Sequence, residues 1–560
     1  MTATTAITAH LLRELGYRPE ITVLSVPVTY ASMKNKDIDV FLGNWMPSME
    51  ADRKPFVEDH SIDVLGANLT GAKYTLAVPA YTHAAGLKDF ADIARFSGQL
   101  KSSIYGIEAG NDGNRQVLKM IAENQFGLGG FKLIESSEQG MLAEVERAVR
   151  ARESIVFLGW APHPMNMRFD MRYLSGGDAS FGPDFGGATV YTNTRAGYSS
   201  DCPNVGRLLA NLKFTLAGES EMMDAILERH EAPDAAAAAW FAANPASVDA
   251  WLEGVTAFDG RPAREALGQQ LVTMRTSAFE TWVTAHKIPL GDAVTRFVEY
   301  VKVHGVGFFN GIAVVVRGST TAVETLLNAL PAPLLIAVIA LAAWGLRRSL
   351  PLAIFVAGAL LFIMNQGYWA ATIETLTLVL VAAFISTAIG VPLGIVAARR
   401  PRLFAVMRPV LDLMQTLPTF VYLIPTLVLF GLGVVPGIIS TVIFALPAPI
   451  RLTHLGISSV PKTLIEAGQA FGATRLQLLV KVELPSAAPT IVAGITQCIM
   501  LSLSMVVIAA LVGAGGLGVP VVRALNSVQV GMGFEAGLAI VLVAIILDRI
   551  TRPADPTGPR

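Results

Sequence analysis

A step in hydropathy divides this chain and limits what it can fold into. Residues 1 to about 305 carry charges throughout and read as water-soluble, whereas long apolar runs dominate from about 322 to 549. Several of those runs approach the ~20 residues that a helix needs to cross a bilayer. A length of 560 residues allows two or three domains, here a soluble part followed by a membrane part. The net charge of −1 supplies no field that points to nucleic acid. The two cysteines, Cys202 in the soluble part and Cys498 in an apolar run, lack metal-ligand spacing, so neither a metal site nor a redox motif is expected. The N-terminus, MTATTAITAHLLRELGY, has no basic segment leading into an apolar core and does not read as a signal peptide.

Membrane crossings are expected near 330–346, 350–366, 371–397, 410–431, 434–450, 488–513 and 533–548. Cytoplasmic loops retain Arg and Lys. Arg347 and Arg348 follow the first run; Arg399, Arg400 and Arg402 follow the third. Arg451, Lys462, Arg475 and Lys481 follow the fifth, and Arg549 and Arg552 the last. The opposite loops carry little positive charge apart from Arg523, which places the loop after the fifth crossing inside and the N-terminal domain outside. Pro418, Pro425, Pro447 and Pro449 interrupt apolar runs, as helices lining a pathway often do. Glu374, Asp412 and Glu535 are carboxylates close to or within crossings, where a functional role competes with simple anchoring at the interface. The glycine cluster ending LSMVVIAALVGAGGLGVP suits a tight re-entrant turn.

The internal loop reads EAGQAFGATRLQLLVKVELP, with Glu466, Ala467, Gly468, Gly472, Leu484 and Pro485 at its marked positions. It is a helix–Gly–helix elbow, a rigid knob through which a separate motor can push on membrane helices. The spacing resembles the coupling loop of ABC importer permeases. From roughly Leu326 to Arg552 the chain resembles the permease subunit of glycine betaine/choline ABC importers, including LPTFVYLIPTLVLFG and FEAGLAIVLVAIILDRIT.

In the soluble part a short apolar strand twice ends in Gly and Trp before a proline, as IDVFLGNWMP and SIVFLGWAPHP. A third strand, SSIYGIEAG, runs into NDGNRQVLKMIAE, where Asn114 is expected to cap a helix. Ser136 and Gln139 form a capping box before another helix. Alternating strands and helices imply an α/β domain, and such sheets present ligands at the carboxyl ends of strands. Trp45 and Trp160 stand at two such ends. A quaternary ammonium has no N–H to donate and is recognised by aromatic faces. On the residues alone, packing and ligand roles both remain open.

The stretches VLSVPVTYASMKNKDIDVFLGNWMP, GAKYTLAVP, YGIEAGNDGN and VFLGWAPHPMN are together similar to the choline-binding protein of the same transporter class. That resemblance runs from Thr2 to about Gly305 and implies a two-lobed, periplasmic-binding-protein-like α/β clamp (type II), with one lobe near 75–165. It implies Trp45, Tyr74 and Trp160 as walls of an aromatic box and Asn111 as partner of the choline hydroxyl. Relatives carry a preceding strand with a fourth Trp wall and an Asp; here Met1 stands at the end of that segment, and Cys202 resembles half of a disulfide whose partner lay there. Either the start lies further upstream in the native protein, or the fusion is a decayed or non-exported product.

The expected organisation is therefore a binding domain over 1–305, a linker over 306–325, an all-α transmembrane permease domain over 326–552 with its coupling loop at 461–485, and a tail over 553–560. The implied activity is capture of choline, or alternatively glycine or proline betaine, outside a bacterial inner membrane and its passage inward. No GxxxxGK[ST] loop occurs, so ATP is expected to be used by a separate ABC ATPase subunit, with no catalytic residue and no cofactor on this chain. Its other expected partners are a second permease copy, as a homodimer, and membrane lipid. A non-transporting amine receptor would need a signalling domain, and TRPADPTGPR is too short for one. An enzyme reading finds its eight histidines in no ligand or triad pattern.

Overall fold

The computed structural model describes residues 2–227, 229, 231–267 and 290–551. Arg552 and the tail 553–560 lie outside the described residues. The chain divides into two compact units, one of Met1–Ile134, Val145–Val294 and Asn526–Val528, the other of Glu135–Glu144, Thr295–Leu525 and Gln529–Arg560.

In the first unit one seven-stranded sheet carries the architecture. Its strands are β1 (Val40–Met46), β2 (Ile62–Pro79), β3 (Ser103–Tyr105), β4 (Lys132–Ile134), β5 (Phe157–Ala161), β6 (Met171–Tyr173) and β7 (Gly187–Arg195), in the order β1-β7-β2-β5-β3-β4 with β6 beside β2. The 18-residue β2 serves both halves: Ile62 to Lys73 pairs antiparallel with β7, and Lys73 to Ala77 pairs antiparallel with β5. Strands β3, β4 and β5 are parallel, so the connections between them must cross over. Helix α1 (Asp112–Ala122) supplies the first crossover and α2 (Glu138–Ala151) the second. This is the alternating α/β pattern expected.

The start of α1 differs from expectation. The N-cap of α1 is Asn111, whose side chain accepts from Gly113 N–H at 2.8 Å. Asn114 instead lies inside the helix and turns back, accepting from Ile107 N–H and donating to Ile107 O. At α2 the Ser137 hydroxyl, one residue after Ser136, accepts from Gly140 N–H at 3.1 Å. A cap is set by where the chain leaves its strand, and that exit comes from the sheet rather than from the local motif.

The second unit is helical. Residues 306–325, expected as a linker, lie within helix α3 (Val306–Asn328), whose Val316 is 4% exposed in the main apolar core and whose Phe309 meets Phe430 edge to face at 5.5 Å. Gly307, Gly311, Arg317 and Glu324 dilute its apolar pattern in the sequence, and packing on neighbouring helices decides its state. Next come α4 (Ala332–Arg347) and α5 (Leu350–Asn365), each of 16 residues and about 24 Å long at ~1.5 Å per residue, short of a ~30 Å hydrocarbon core. The 31-residue α6 (Trp369–Arg399) is the central span. Helices α7 (Pro401–Thr416) and α8 (Thr419–Phe430) bend by 96° at Pro418 rather than forming the single straight crossing expected. Helices α9 (Val434–Ala445) and α10 (Pro447–Ser458) together make one 25-residue apolar stretch despite Pro447 and Pro449.

The loop elements follow: α11 (Lys462–Ala470) and α12 (Arg475–Leu478), then α13 (Leu484–Ala510), α14 (Gly518–Asn526) and α15 (Val530–Thr551). Five described helical stretches are long and apolar enough to cross a membrane, or six if the bent pair is one span. Helix α6 approaches α10 closely through Gly390 and Gly394, where an added Cβ would stand 2.7 Å from Pro449 Cγ and 2.6 Å from Thr453 Cβ. Small residues at this spacing let membrane helices meet backbone to backbone. The glycine cluster after α13 makes the turn expected of it, with φ +79° at Gly513 and +107° at Gly516. That turn is fastened to α6: the Thr375 hydroxyl accepts from Leu517 N–H at 2.8 Å, and a Cβ on Gly515 would lie 2.3 Å from Glu374 Oε2. Asp412 pairs with Arg451 at 2.6 Å, and Glu535 accepts from the Tyr368 hydroxyl at 3.4 Å.

Candidate functional site

The sheet register brings three of the four expected ligand residues together. Tyr74 on β2 stands directly opposite Trp160 on β5. Their ring centroids are 6.2 Å apart with planes at 76°, and Trp45, near the end of β1, approaches the same Tyr74 ring at 6.3 Å and 66°. Edge-on arrangements of this kind leave ring faces free. In each Trp-x-Pro segment the peptide before the proline is cis, at Met46–Pro47 and at Ala161–Pro162. The indoles are half-buried, while Tyr74 is 6% exposed.

Asn111 joins them through its carbonyl oxygen, which accepts from the Tyr74 hydroxyl at 2.7 Å as well as from Gly113 N–H. Both acceptor sites of Oδ1 are thereby occupied. Its amide N–H₂ is what Asn111 can offer a ligand oxygen. Gly113 is required here: a Cβ would stand 2.1 Å from the Tyr74 hydroxyl oxygen. Behind Tyr74, Gly186 at φ +72° passes so close that a Cβ would lie 2.2 Å from the Tyr74 carbonyl oxygen.

The backbone of Trp160 is held by Asn166, whose Nδ2 donates to Trp160 O at 2.7 Å and to His163 O at 2.9 Å. The His163 ring packs on the indole at 4.9 Å, and its Nδ1 accepts from Met165 N–H, which leaves the ring proton on Nε2. Sequence reasoning missed His163, and it missed Phe181, whose ring is 6.0 Å from Tyr74 at 86°. Phe181 lies in SFGPDFGG, a turn segment without strand or helix periodicity, so nothing in the pattern singled it out.

Carboxylates lie on the Asn111 side. Asp112, 3% exposed, is held above the usual carboxylate range by burial, which outweighs the neighbouring Ser48 hydroxyl and the Arg115 guanidinium. Asp52 is likewise raised by burial, although Arg115 forms an ion pair with it. The Tyr74 phenol is pushed up by burial first and by the nearby charges of Asp112 and Glu108 second. Such a site offers π faces, one amide donor and, beside them, carboxyl groups that burial holds above their usual range.

The loop after α10 has the expected elbow. Gly472 sits at φ +76° with open space around it, and Thr474 and Gln477 form a reciprocal capping box that starts α12. Gly468 lets the two arms close, since a Cβ there would be 2.7 Å from Leu478 Cδ1. Glu466, Ala467 and Pro485 are solvent-exposed and Leu484 is half-buried. Phe471 at the tip is 93% exposed. A π-helical turn, Leu479–Glu483, leads into α13 and sets the buried Glu483 against Arg399 at the end of α6, 2.8 Å away.

Comparison with known proteins follows the same division. Residues 1–243 match the substrate binding domain of ABC-type glycine betaine transport systems, and residues 390–556 match the inner membrane component of binding-protein-dependent transport systems. The glycine betaine transport system permease protein OpuAB of Bacillus subtilis is 48% identical over 266 residues, covering 48% of this chain and 94% of that protein. ProW of Escherichia coli, a glycine betaine/proline betaine permease, is 46% identical over 265 residues, 47% of this chain and 75% of its own length. Among solved structures, a choline binding protein of an ABC transporter in complex with choline shares 56% identity with a TM-score of 0.47, over 48% of this chain and 92% of that one.

Proposed function

We infer that this chain, which belongs to the family of glycine betaine and choline ABC importers and carries their substrate-binding and permease domains on one polypeptide, imports a quaternary amine, with choline as its preferred substrate. The observation that carries this reading is the meeting of Trp45 and Trp160 on either side of Tyr74, with Asn111 alongside. A trimethylammonium group binds ring faces through cation–π attraction, worth about 0.5–2 kcal/mol per favourable ring. The Asn111 amide then serves the single oxygen of choline. Glycine betaine is the second reading, favoured by the names of the permease relatives.

Transport is driven by an ABC ATPase subunit on another chain, which docks on the exposed knob around Phe471; this chain binds no cofactor and hydrolyses nothing. Two copies pair through their permease domains, surrounded by lipid. We place the chain in a bacterial inner membrane, and the charge placement argues for the coupling loop inside and the binding domain outside. Helix α3 then lies along the interface, because one further crossing would invert that sidedness. Carrying the receptor on its permease replaces diffusional docking by a tethered encounter.

Calorimetric titration of the full chain in nanodiscs tests the assignment. Saturable binding of choline, weakened in Trp160→Ala, is the expected result. Absence of binding by both choline and glycine betaine overturns it.

A further inference from the structure

The three rings serve any trimethylammonium compound, and the Asn111 amide donates equally well to a hydroxyl or to a carboxylate oxygen. Neither distinguishes a cation such as choline from a zwitterion such as betaine. Something else at the site must do so.

Asp112 is placed to do it. Among the described residues its Oδ2 is buried without a hydrogen-bond partner. It is the first residue of α1, between Asn111, which accepts from the Tyr74 hydroxyl, and Gly113, which abuts it. The neighbouring cation, Arg115, is engaged elsewhere: it pairs with Asp52 and donates to Gly110 O at 2.6 Å. The N-terminus of α1 would ordinarily welcome an anion. Here the Gly113 N–H is already taken by Asn111, and the Asp112 carboxylate occupies that end.

We propose that Asp112 is the residue that sets substrate charge, its buried carboxylate favouring a cationic quaternary amine and disfavouring one that carries its own carboxylate. It acts through the field at the box and not by replacing a wall. A net cation gains from a buried negative charge. A zwitterion whose carboxylate points toward Asn111 meets like charge instead, in surroundings where screening by water is weak. This inference rests on the quaternary-amine reading above. A purely structural role is the competing account, since an acidic residue in the first turn also complements the helix dipole.

The test compares choline and glycine betaine by calorimetry on the full chain in nanodiscs, wild type against Asp112→Asn. The variant keeps shape and removes charge. Choline affinity is expected to fall about ten-fold while betaine affinity holds or rises, which moves the ratio of the two by at least that factor. Equal weakening of both ligands identifies a structural role and overturns the proposal, as does an unchanged ratio. If wild type binds neither amine, the substrate reading itself has failed. Should Asp112→Asn not fold, Arg115→Gln supplies the opposite change: removing the local cation is expected to widen the preference for choline, and a preference that stays put or narrows overturns the proposal.

Discussion

The Tyr74 hydroxyl donates to Asn111 Oδ1 at 2.7 Å, and this bond ties an aromatic wall on a strand to the cap of a helix. It leaves the amide N–H₂ as the group Asn111 can offer a ligand, because the oxygen is already committed to Tyr74 and to Gly113.

Tyr74→Phe removes that bond and keeps the ring. One neutral hydrogen bond contributes about 0.5–1.5 kcal/mol, so choline affinity should fall roughly two- to ten-fold in calorimetry. Gly113→Ala should do more harm, since its methyl needs the space of the Tyr74 hydroxyl, 2.1 Å away.

Truncating either indole separates its contribution from that of the other. Trp45→Ala and Trp160→Ala are each expected to weaken choline binding at least two- to thirty-fold, the affinity equivalent of about 0.5–2 kcal/mol per ring. Phe181→Ala should act indirectly, by loosening Tyr74, and should lower thermal stability as well.

Asp112 makes stability and function oppose each other. Burial raises its folded carboxyl above the unfolded value, so the native state is favoured while the group is protonated, and that benefit is lost as pH rises from the ordinary carboxylate range through the folded pKa. Wherever Asp112 carries its charge, that charge is therefore a burden on the fold. Asp112→Asn should melt at a higher temperature than wild type at pH 7, with the difference shrinking toward pH 3, even as choline binding weakens.

The Arg399–Glu483 pair joins the coupling loop to the central span. Removing one partner of a buried pair costs several kcal/mol, reduced here because Arg399 is 38% exposed; about 1–3 kcal/mol is expected for Glu483→Gln by thermal melting. In complex with the same variant, the ATPase subunit should show weaker stimulation by choline, and the charge-reversed double variant should recover part of it. Gly472→Ala should blunt stimulation too, by straining the elbow by about 1–2 kcal/mol.

Sidedness can be read with a native thiol. Cys202 is exposed and free, whereas Cys498 is buried. A membrane-impermeant maleimide should label Cys202 from outside spheroplasts and should label Phe471→Cys only after the membrane is opened. The reverse pattern would place α3 across the bilayer.

Several features were legible from the residues alone because local chemistry enforces them. The two Trp-x-Pro strand ends, the helix–Gly–helix elbow and the glycine turn after α13 each depend on a residue that few others can replace. Caps were less legible: Asn114 looked suitable, yet Asn111 holds that place, because the exit from a strand fixes where a helix begins. Helix α3 was obscured by its glycines and charges, and tertiary packing made it continuous.

By itself the amino-acid order determined an α/β part, a helical membrane part, the elbowed loop between apolar runs, and aromatic residues suited to a quaternary cation. Hydropathy and turn chemistry are local, so a single chain displays them. Only the folded structure decided that Tyr74 spends its hydroxyl on Asn111, that Phe181 backs the box, and that Ser48, Asp52, Asp112 and Arg115 form one charged neighbourhood. Those groups come from separate segments, and burial and electrostatics become defined only when the sheet brings them together.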